Sequence, residues 1–194
     1  PCPLATTECF MQLQGIASGA DRMHDILNSM LDVVRIDSHS LPLKPEWVAL
    51  PDLLTALSDD LQEPMTGRQM ALEQNWPPDL PRIHVDPAEI GKVFRHLLYN
   101  AVKYTPDGGE ISITARVVPS PDATESDGAE PDDFVEIVIS DTGIGIDAEA
   151  QELIFTKFYQ VEPVAFHSSG KTKFKGGGAG LGLAIARGIV EAHG

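Results

Sequence analysis

Glycines crowd the start of one predicted helix in the stretch GGGAGLGLAIARGIV, residues 176–190. Leu181, Ile185 and Ile189 recur there at every fourth position, which predicts one buried helical face. A glycine inside a helix costs about 1 kcal/mol relative to alanine, so several glycines indicate a sharp bend or a close approach to a ligand. A helix N-terminus has unpaired N–H groups and partial positive charge, which favour a polyphosphate. A flexible loop is the alternative, because no GxxxxGK phosphate loop and no strand-linked GxGxxG is present.

Composition limits the class of partner. A chain of 194 residues with 42% hydrophobic residues can form one packed domain and a smaller appendage. The formal net charge of -15 argues against nucleic acid or an anionic membrane as a partner. Lys171, Lys173 and Lys175 are a local exception: they precede the glycines and could meet phosphate, or they form a solvated loop. Cys2 and Cys9 predict neither a disulfide framework nor a metal centre, which fits a reducing compartment.

The ends of the sequence indicate a part of a longer protein. No apolar run approaches the roughly 20 residues that span a bilayer, and PCPLATTE does not match a signal peptide. Because the sequence does not begin with Met, we expect any sensor or membrane part to lie upstream. The expected location of this part is the cytoplasm, without direct membrane contact.

A long helix is predicted near the start of the chain. Its apolar positions alternate three and four residues apart, as in a helix packed in a bundle or coiled coil, at Leu13, Ile16, Ala20, Met23, Leu27, Met30 and Val34. Two prolines and polar turn formers in SHSLPLKPEW, residues 38–47, end this helix and predict a boundary near Pro45. The expected domains are therefore 1–46 and 47–194.

The second domain combines helices and strands. Asp86 can cap a helix, Pro87 suits its first position, and Glu89 can complete a capping box. The acidic, proline-bearing segment between the last two strands is predicted to be a mobile loop. The predicted elements are a helix at 52–66, strands at 70–75 and 82–85, a helix at 87–104, and strands at 110–118 and 134–140.

Polar residues share one face of the predicted helix at 87–104. These residues are Glu89, Lys92, His96, Asn100 and Lys103. The side-chain oxygen of Asn100 is a hard ligand suited to Mg²⁺, and Lys103 can balance phosphate charge. The alternative is a solvated helix face.

A second candidate site follows the last predicted strand, in ISDTGIGID at 139–147. The Asp141 carboxylate could accept a hydrogen bond from an exocyclic amine such as that of adenine, while Gly143 and Gly145 let a ring lie against the backbone. A simple Asp-Thr-Gly turn is the alternative.

Four motifs, NAVKYTPDGG, DTGIGI, IFTKFYQ and GGGAGLGLAIA, occur in this order and together resemble the ATP-binding domain of sensor histidine kinases. The resemblance runs from about residue 48 to the end, and RMHDILNSMLDVVRIDS resembles the second helix of that family's dimerisation hairpin. It implies an α/β fold, a two-layer sandwich with a mixed sheet covered on one face by helices, preceded by a long bundle helix.

The resemblance also implies roles for individual residues. Asn100 would hold Mg²⁺, Asp141 would recognise adenine, and Phe155 and Phe158 would anchor a lid. The remaining residues implied to form the ATP site or the hinge of the lid are Lys103, Tyr104, Gly143, Gly145, Lys175, Gly178, Gly180, Leu181 and Gly182.

This sequence also departs from the family. His96 stands where the family often has a second asparagine, so its imidazole either joins the Mg²⁺ site or faces water. No segment matches the motif of the phosphoacceptor histidine; His24 lies on what resembles the second helix and is interpreted as flanking the bundle seam. The family usually closes its sheet with two further strands after HG, whereas this sequence stops at Gly194.

The function implied by the resemblance is that of a kinase core. In the intact protein, the γ-phosphoryl of Mg-ATP would pass to a histidine and then to a response regulator, and the protein would dimerise through the leading helix. Two alternatives remain at this point. A chaperone, topoisomerase or mismatch-repair ATPase would hydrolyse ATP with water, although the 155–158 segment and the heptad helix argue against it. A degenerate kinase would serve only as a scaffold.

Overall fold

The computed structural model describes three stretches of the chain, residues 7–119, 134–161 and 179–194, with only the backbone described at Thr7 and Glu8. The predicted acidic loop between the last two strands falls outside these stretches, as do the lysines before the glycines, Lys175 among them, and Gly178. The chain divides into two compact units between Leu41 and Pro42.

The described residues of the first unit form the long helix that was predicted, α1, Thr7–Asp37. The helix ends where Ser38 and Ser40 donate backbone hydrogen bonds to carbonyls of the last turn. Its apolar seam is exposed, and Leu27 for example is 55% accessible. Within the described residues, no helix has the length and apolar character needed to cross a bilayer.

The second unit alternates strands and helices. Its elements in chain order are β1 (Glu46–Val48), α2 (Leu50–Gly67), β2 (Ala71–Asn75), β3 (Ile83–Val85), α3 (Pro87–Tyr104), β4 (Glu110–Val118), β5 (Phe134–Asp141), α4 (Ala148–Gln151) and α5 (Gly182–Ala192). The predicted helices and strands are present, with bounds shifted by up to two residues. The sequence did not predict β1 or the single turn of α4.

The larger sheet is mixed. Its order is β2-β4-β5, with β2 parallel to β4 and β4 antiparallel to β5. Side chains alternate along β4: Ile111, Ile113 and Ala115 are buried, whereas Glu110, Thr114 and Arg116 are exposed. One face of the sheet therefore packs on the core, and the other faces solvent. The short strands β1 and β3 form a separate antiparallel pair.

Three helices complete the core. Residues with almost no exposed area come from α2, α3 and α5 as well as from β4, and examples are Leu54, Leu98, Ile113 and Ile185. Helix α3 contacts both α2 and α5. The central position of α3 matters for function because its polar face carries the predicted Mg²⁺ ligand.

Asp86 caps α3 as predicted, although the capping box does not form. Its carboxylate accepts hydrogen bonds from the backbone N–H groups of Ala88 at 3.0 Å and Glu89 at 3.1 Å, and from that of Lys44 at 2.8 Å. The N–H of Asp86 itself donates to Nε2 of His193, at 3.0 Å. This bond takes the place of the predicted return bond from Glu89, whose Oε1 accepts instead from Lys92 Nζ.

His193 lies just after the end of α5, so α3 begins beside the end of α5. Farther along, His96 on α3 lies beside Gly182, the first residue of α5. The two helices are therefore antiparallel neighbours, in contact near both ends of α5.

Candidate functional site

Asn100 lies midway along a line of polar residues on α3. It follows His96 by one turn and precedes Tyr104 by one turn, and each step of four residues advances about 6 Å along a helix axis. Asn100 is partly buried, as are Lys103 and Tyr104. The Nζ of Lys103 lies 4.6 Å from the centroid of the Tyr104 ring, a cation–π distance. The end of α3 thus combines an amide oxygen with a positive charge.

His96 packs against the start of α5. A Cβ atom added to Gly182 would lie only 3.0 Å from Nδ1 of His96, so glycine allows this close approach. His96 is half-buried there. The ring therefore lies against the backbone of a second helix and keeps part of its surface exposed, and its role, in the Mg²⁺ site or facing water, stays a prediction.

The start of α5 has the features of an anion site. Leu181, buried at 2% exposure, is the N-cap residue before Gly182, and its side chain makes no cap hydrogen bond. The first N–H groups of a helix have no partner within it and point along the positive end of its dipole. Because Gly182 adjoins His96, these N–H groups lie near the polar face of α3.

Gly180 needs glycine for two reasons. Its φ of +69° is in the left-handed region, and an added Cβ would lie 2.8 Å from the carbonyl oxygen of Tyr159. The carbonyl of Gly180 accepts a hydrogen bond of 2.8 Å from the N–H of Phe158. Residues near 158 and 180, which are distant in sequence, are thus joined by a hydrogen bond.

Phe155 and Phe158, the two phenylalanines of the predicted lid, lie near the Phe158 end of this hydrogen bond. Phe158 has a φ of +63°, unusual for a bulky residue, and its ring is 60% exposed. The Phe155 ring lies 5.9 Å from the guanidinium carbon of Arg187 on α5. Phe155 therefore lies beside α5, and the backbone of Phe158 is bonded to Gly180, two residues before α5 begins.

The loop after β5 folds onto the end of α3. Asp141 is exposed at the end of β5, and its Oδ1 accepts a 2.8 Å hydrogen bond from the N–H of Gly143. The N–H of Ile144 donates to the carbonyl oxygen of Tyr104 at 3.2 Å, and a Cβ on Gly143 would lie 2.6 Å from that same oxygen. Gly145 has a φ of +70°. The turn formed by Asp141 is present, and the turn holds its carboxylate beside α3.

Helix α3 therefore connects two of the predicted site segments, the start of α5 and the Asp141 loop. It contacts the start of α5 through His96 and the Asp141 loop through Tyr104, with Asn100 between them. Sequence reasoning missed one residue that supports this arrangement, Arg68, whose side chain reaches the end of α3 from the turn after α2. No local pattern marks Arg68, because its partners lie more than 30 positions later.

The side chains at this site could bind Mg²⁺ only together with a bound molecule that supplies further oxygen atoms. Among the described residues, no group of three or more His, Cys, Asp or Glu could hold a metal ion by itself. Protein Mg²⁺ sites often use one or two side-chain oxygens, with phosphate oxygens and water completing the octahedron. The amide oxygen of Asn100 could serve as one such side-chain ligand, one turn of α3 away from His96, which lies beside the start of α5.

A mixed sheet backed by three helices, with a glycine-rich helix start beside a polar helix face, defines an ATPase-type α/β sandwich. The family model described as "Histidine kinase-, DNA gyrase B-, and HSP90-like ATPase" matches residues 85–194. This match covers more than half of the sequence, and the chain belongs to that family. Within it, the matched part is an ATPase domain of the sensor histidine kinase type, and the predicted α/β fold class of this domain is confirmed.

Individual relatives agree with this assignment. The chain is 30% identical over 175 residues to sensor histidine kinase WalK of Bacillus subtilis, covering 90% of this chain and 25% of WalK. Full-length ShkA in complex with AMPPNP matches with a TM-score of 0.74 at 22% identity, over 96% of this chain and 34% of ShkA. Histidine kinase ThkA in complex with the response regulator protein TrrA gives 0.52 at 19% identity, over 71% of this chain and 38% of that chain.

The chain spans between a quarter and a half of the length of the curated relatives that it matches. The structural likenesses, all at 22% identity or less in these comparisons, concern the fold alone.

Proposed function

We propose that this chain is the ATP-binding core of a sensor histidine kinase, which binds Mg-ATP on the polar face of α3. One observation carries the proposal: α3 holds Asn100 between the Asp141 loop at one end and the start of α5 at the other. A nucleotide has a base and a charged phosphate tail several ångströms apart. The two ends of this site match the two parts of a nucleotide. The Asp141 carboxylate suits the amine of the base, and the N-terminus of α5 suits the negatively charged phosphates.

The proposed pose assigns adenine to the Asp141 loop. The carboxylate accepts from the exocyclic amine, and Gly143 and Gly145 keep side chains away from the ring. The phosphates lie toward Gly182, with Lys103 contributing positive charge. Gly180 and Leu181 bring the chain into α5, and Phe155 and Phe158 flank this approach.

The proposal extends to Lys175 and Gly178 by the resemblance alone. In this pose the bound Mg²⁺ neutralises phosphate charge, and Asn100 supplies the protein's side-chain oxygen to it. In this pose His96 packs against Gly182 and holds the start of α5 in place.

Replacing Asn100 with alanine is expected to weaken nucleotide binding mainly when Mg²⁺ is present. The variant loses one metal ligand, so the Kd for Mg-ATP should rise about tenfold, which equals about 1.4 kcal/mol. With a chelator present, wild type and variant should differ little, because the metal link is already absent. Calorimetric titrations with Mg²⁺ and with chelator measure both cases.

The matched control is Asn75→Ala, which removes an exposed amide at the far end of β2 and should leave both affinities unchanged. Equal losses for Asn100→Ala in the two conditions would mean that Asn100 has a structural role and that the metal assignment is wrong.

We further propose that the intact protein is a homodimer through α1. The apolar seam of this helix is exposed along its length, with Leu13 at 59%, Leu27 at 55% and Val34 at 62% accessibility. An exposed apolar stripe of this kind favours association with a partner helix.

Replacing Leu27 with glutamate is expected to prevent self-association. A charge in the seam would have to be buried in the dimer, so light scattering should give a dimer mass for wild type and a monomer mass for Leu27→Glu. The control Gln14→Glu adds the same charge at an exposed position off the seam and should remain dimeric. A monomeric wild type at high concentration would contradict the dimer proposal.

In the intact protein, we propose, the γ-phosphoryl passes to a histidine and then to a response regulator receiver domain. Catalysis of phosphoryl transfer depends chiefly on positioning and on charge neutralisation. The test incubates the chain with γ-labelled ATP, alone and with a separately made helix hairpin that carries an acceptor histidine.

Acid-labile label on the added hairpin is the expected result. Release of labelled phosphate without label on the hairpin would instead indicate a hydrolytic ATPase. Label on the chain alone that is lost in His24→Gln would show that α1 is the acceptor helix.

A further inference from the structure

Arg68 joins the end of α2 to the end of α3. Its side chain is 12% exposed, and its planar guanidinium donates the three hydrogen bonds described next. Nε donates to Asp107 Oδ1 at 2.7 Å, Nη1 to the carbonyl oxygen of Val102 at 2.5 Å, and Nη2 to the carbonyl oxygen of Thr105 at 2.6 Å. Two of these three acceptors are backbone carbonyls at the end of α3.

These acceptors are the groups that a helix end leaves unsatisfied. The last carbonyls of a helix have no partner within it and carry the negative end of its dipole. Val102 lies in the last turn of α3, and Thr105 is its C-cap residue. A guanidinium matches both in charge and in its planar arrangement of donors, whereas an ammonium group could not satisfy all three acceptors in this fixed geometry.

The backbone around Arg68 holds the guanidinium in place. Arg68 is the C-cap of α2, and Gln69 follows it with a φ of +54°. The N–H of Gln69 donates to Thr66 and that of Met70 to Met65, which is the bonding pattern of a Schellman motif. The carbonyl of Arg68 also accepts from the N–H of Gly108 at 2.9 Å. Side chain and backbone together hold the turn between α3 and β4.

The same end of α3 carries the Asp141 loop. Tyr104 lies between Val102 and Thr105 in the sequence, and its carbonyl accepts the N–H of Ile144. Any shift of this helix end therefore moves the acceptor on which the loop rests. His96, two turns earlier on α3, contacts Gly182 at the start of α5 independently of Arg68.

We infer that Arg68 is a positioning residue for nucleotide binding, which sets the distance between the adenine end and the phosphate end of the site. It does so by fixing the last turn of α3 beneath the Asp141 loop. This inference rests on the proposed function, and it adds a residue that lies outside every motif of the nucleotide site.

Arg68→Ala is expected to raise the Kd for ATP about tenfold, the effect of misaligning about one charge-assisted hydrogen bond. It should also speed the hydrogen exchange of the Ile144 amide in the protein without nucleotide, because the acceptor of that amide is released. Arg68→Lys retains the charge but not the planar set of donors, so it should restore only part of both properties.

The matched control is Leu54→Ala. This substitution creates a cavity in the core beside α2, the helix that ends at Arg68, and leaves the hydrogen bonds at the end of α3 intact. It should lower the unfolding temperature at least as much as Arg68→Ala while leaving the Kd and the exchange of Ile144 unchanged, when both are measured where each variant is folded. Unchanged Kd and unchanged exchange in Arg68→Ala would overturn the inference, as would equal changes in Leu54→Ala.

Failure of the proposed function gives a different result. If the wild-type chain binds no nucleotide, the proposed function is wrong, and the exchange of the Ile144 amide alone decides whether Arg68 fixes the loop. If Arg68→Ala does not fold, Arg68→Lys carries the same comparison, since it preserves the charge at the helix end.

Discussion

Asp141→Asn is expected to weaken ATP binding by about 1.5 to 3 kcal/mol, or roughly 10- to 150-fold. The reason lies in the turn that Asp141 forms. One carboxylate oxygen accepts the N–H of Gly143, which leaves the other side of the group for the adenine amine. In the variant, the single amide oxygen must stay with Gly143, so the NH₂ group would point at the adenine amine, donor against donor.

Isothermal titration calorimetry with ATP measures this effect directly. Asp147→Asn is the matched control, because it removes one exposed negative charge from the same loop. The Asp147 side chain makes no cap hydrogen bond that the substitution could remove. The control should bind like wild type. Equal affinity of wild type and Asp141→Asn would refute the adenine assignment and leave Asp141 as a turn residue.

Asp86→Ala is expected to lower the free energy of unfolding by about 2 to 3 kcal/mol. Three backbone N–H groups lose their acceptor, two in the first turn of α3 and one at Lys44. Loss of an N-cap alone costs about 0.5 to 2 kcal/mol, and a buried donor without a partner adds to that cost. Urea unfolding measures the change, and Asp59→Ala, an exposed carboxylate on α2, should stay within about 0.5 kcal/mol of wild type.

The same carboxylate should contribute to acid sensitivity. Burial disfavours the charged form of Asp86, but the hydrogen bonds from Lys44, Glu89 and Ala88 outweigh burial and lower its pKa below the ordinary value of 3.8. A carboxyl group whose pKa is lower in the folded state stabilises the fold above its unfolded pKa and loses that contribution as the pH falls through the folded pKa. Wild type should therefore lose more stability than Asp86→Ala between about pH 5 and about pH 3. An identical loss in both proteins would contradict this assignment.

Local patterns in the sequence predicted most of the fold. The cap at Asp86, the apolar face of α3 and the alternation along β4 depend on residues within a few positions of one another, so a single sequence reveals them. Strand β1 was missed because three residues carry little periodicity, and the strand exists only through its pairing with β3. The capping box failed for a similar reason, since His193 occupies the N–H that Glu89 was expected to bind.

The candidate site also has features that the sequence predicted and features that it could not predict. Its glycines and polar residues could be found from their motifs, but the reason for each glycine depends on distant partners. Gly143 avoids the carbonyl of Tyr104, and Gly182 leaves room for His96. Arg68 was invisible because an arginine after a helix is common, and nothing nearby indicates that its partners lie on α3.

The parallel pairing of β2 with β4 also bears on the kinetics of folding. Parallel neighbours cannot be joined by a tight turn, and here the chain between Asn75 and Glu110 includes the whole of α3. The ladder therefore pairs residues that are distant in sequence, such as Ala71 and Glu110, and non-local pairing of this kind slows folding. Because α3 also carries Asn100 and supports the Asp141 loop, the crossover that joins these two strands is also the one that assembles the proposed nucleotide site.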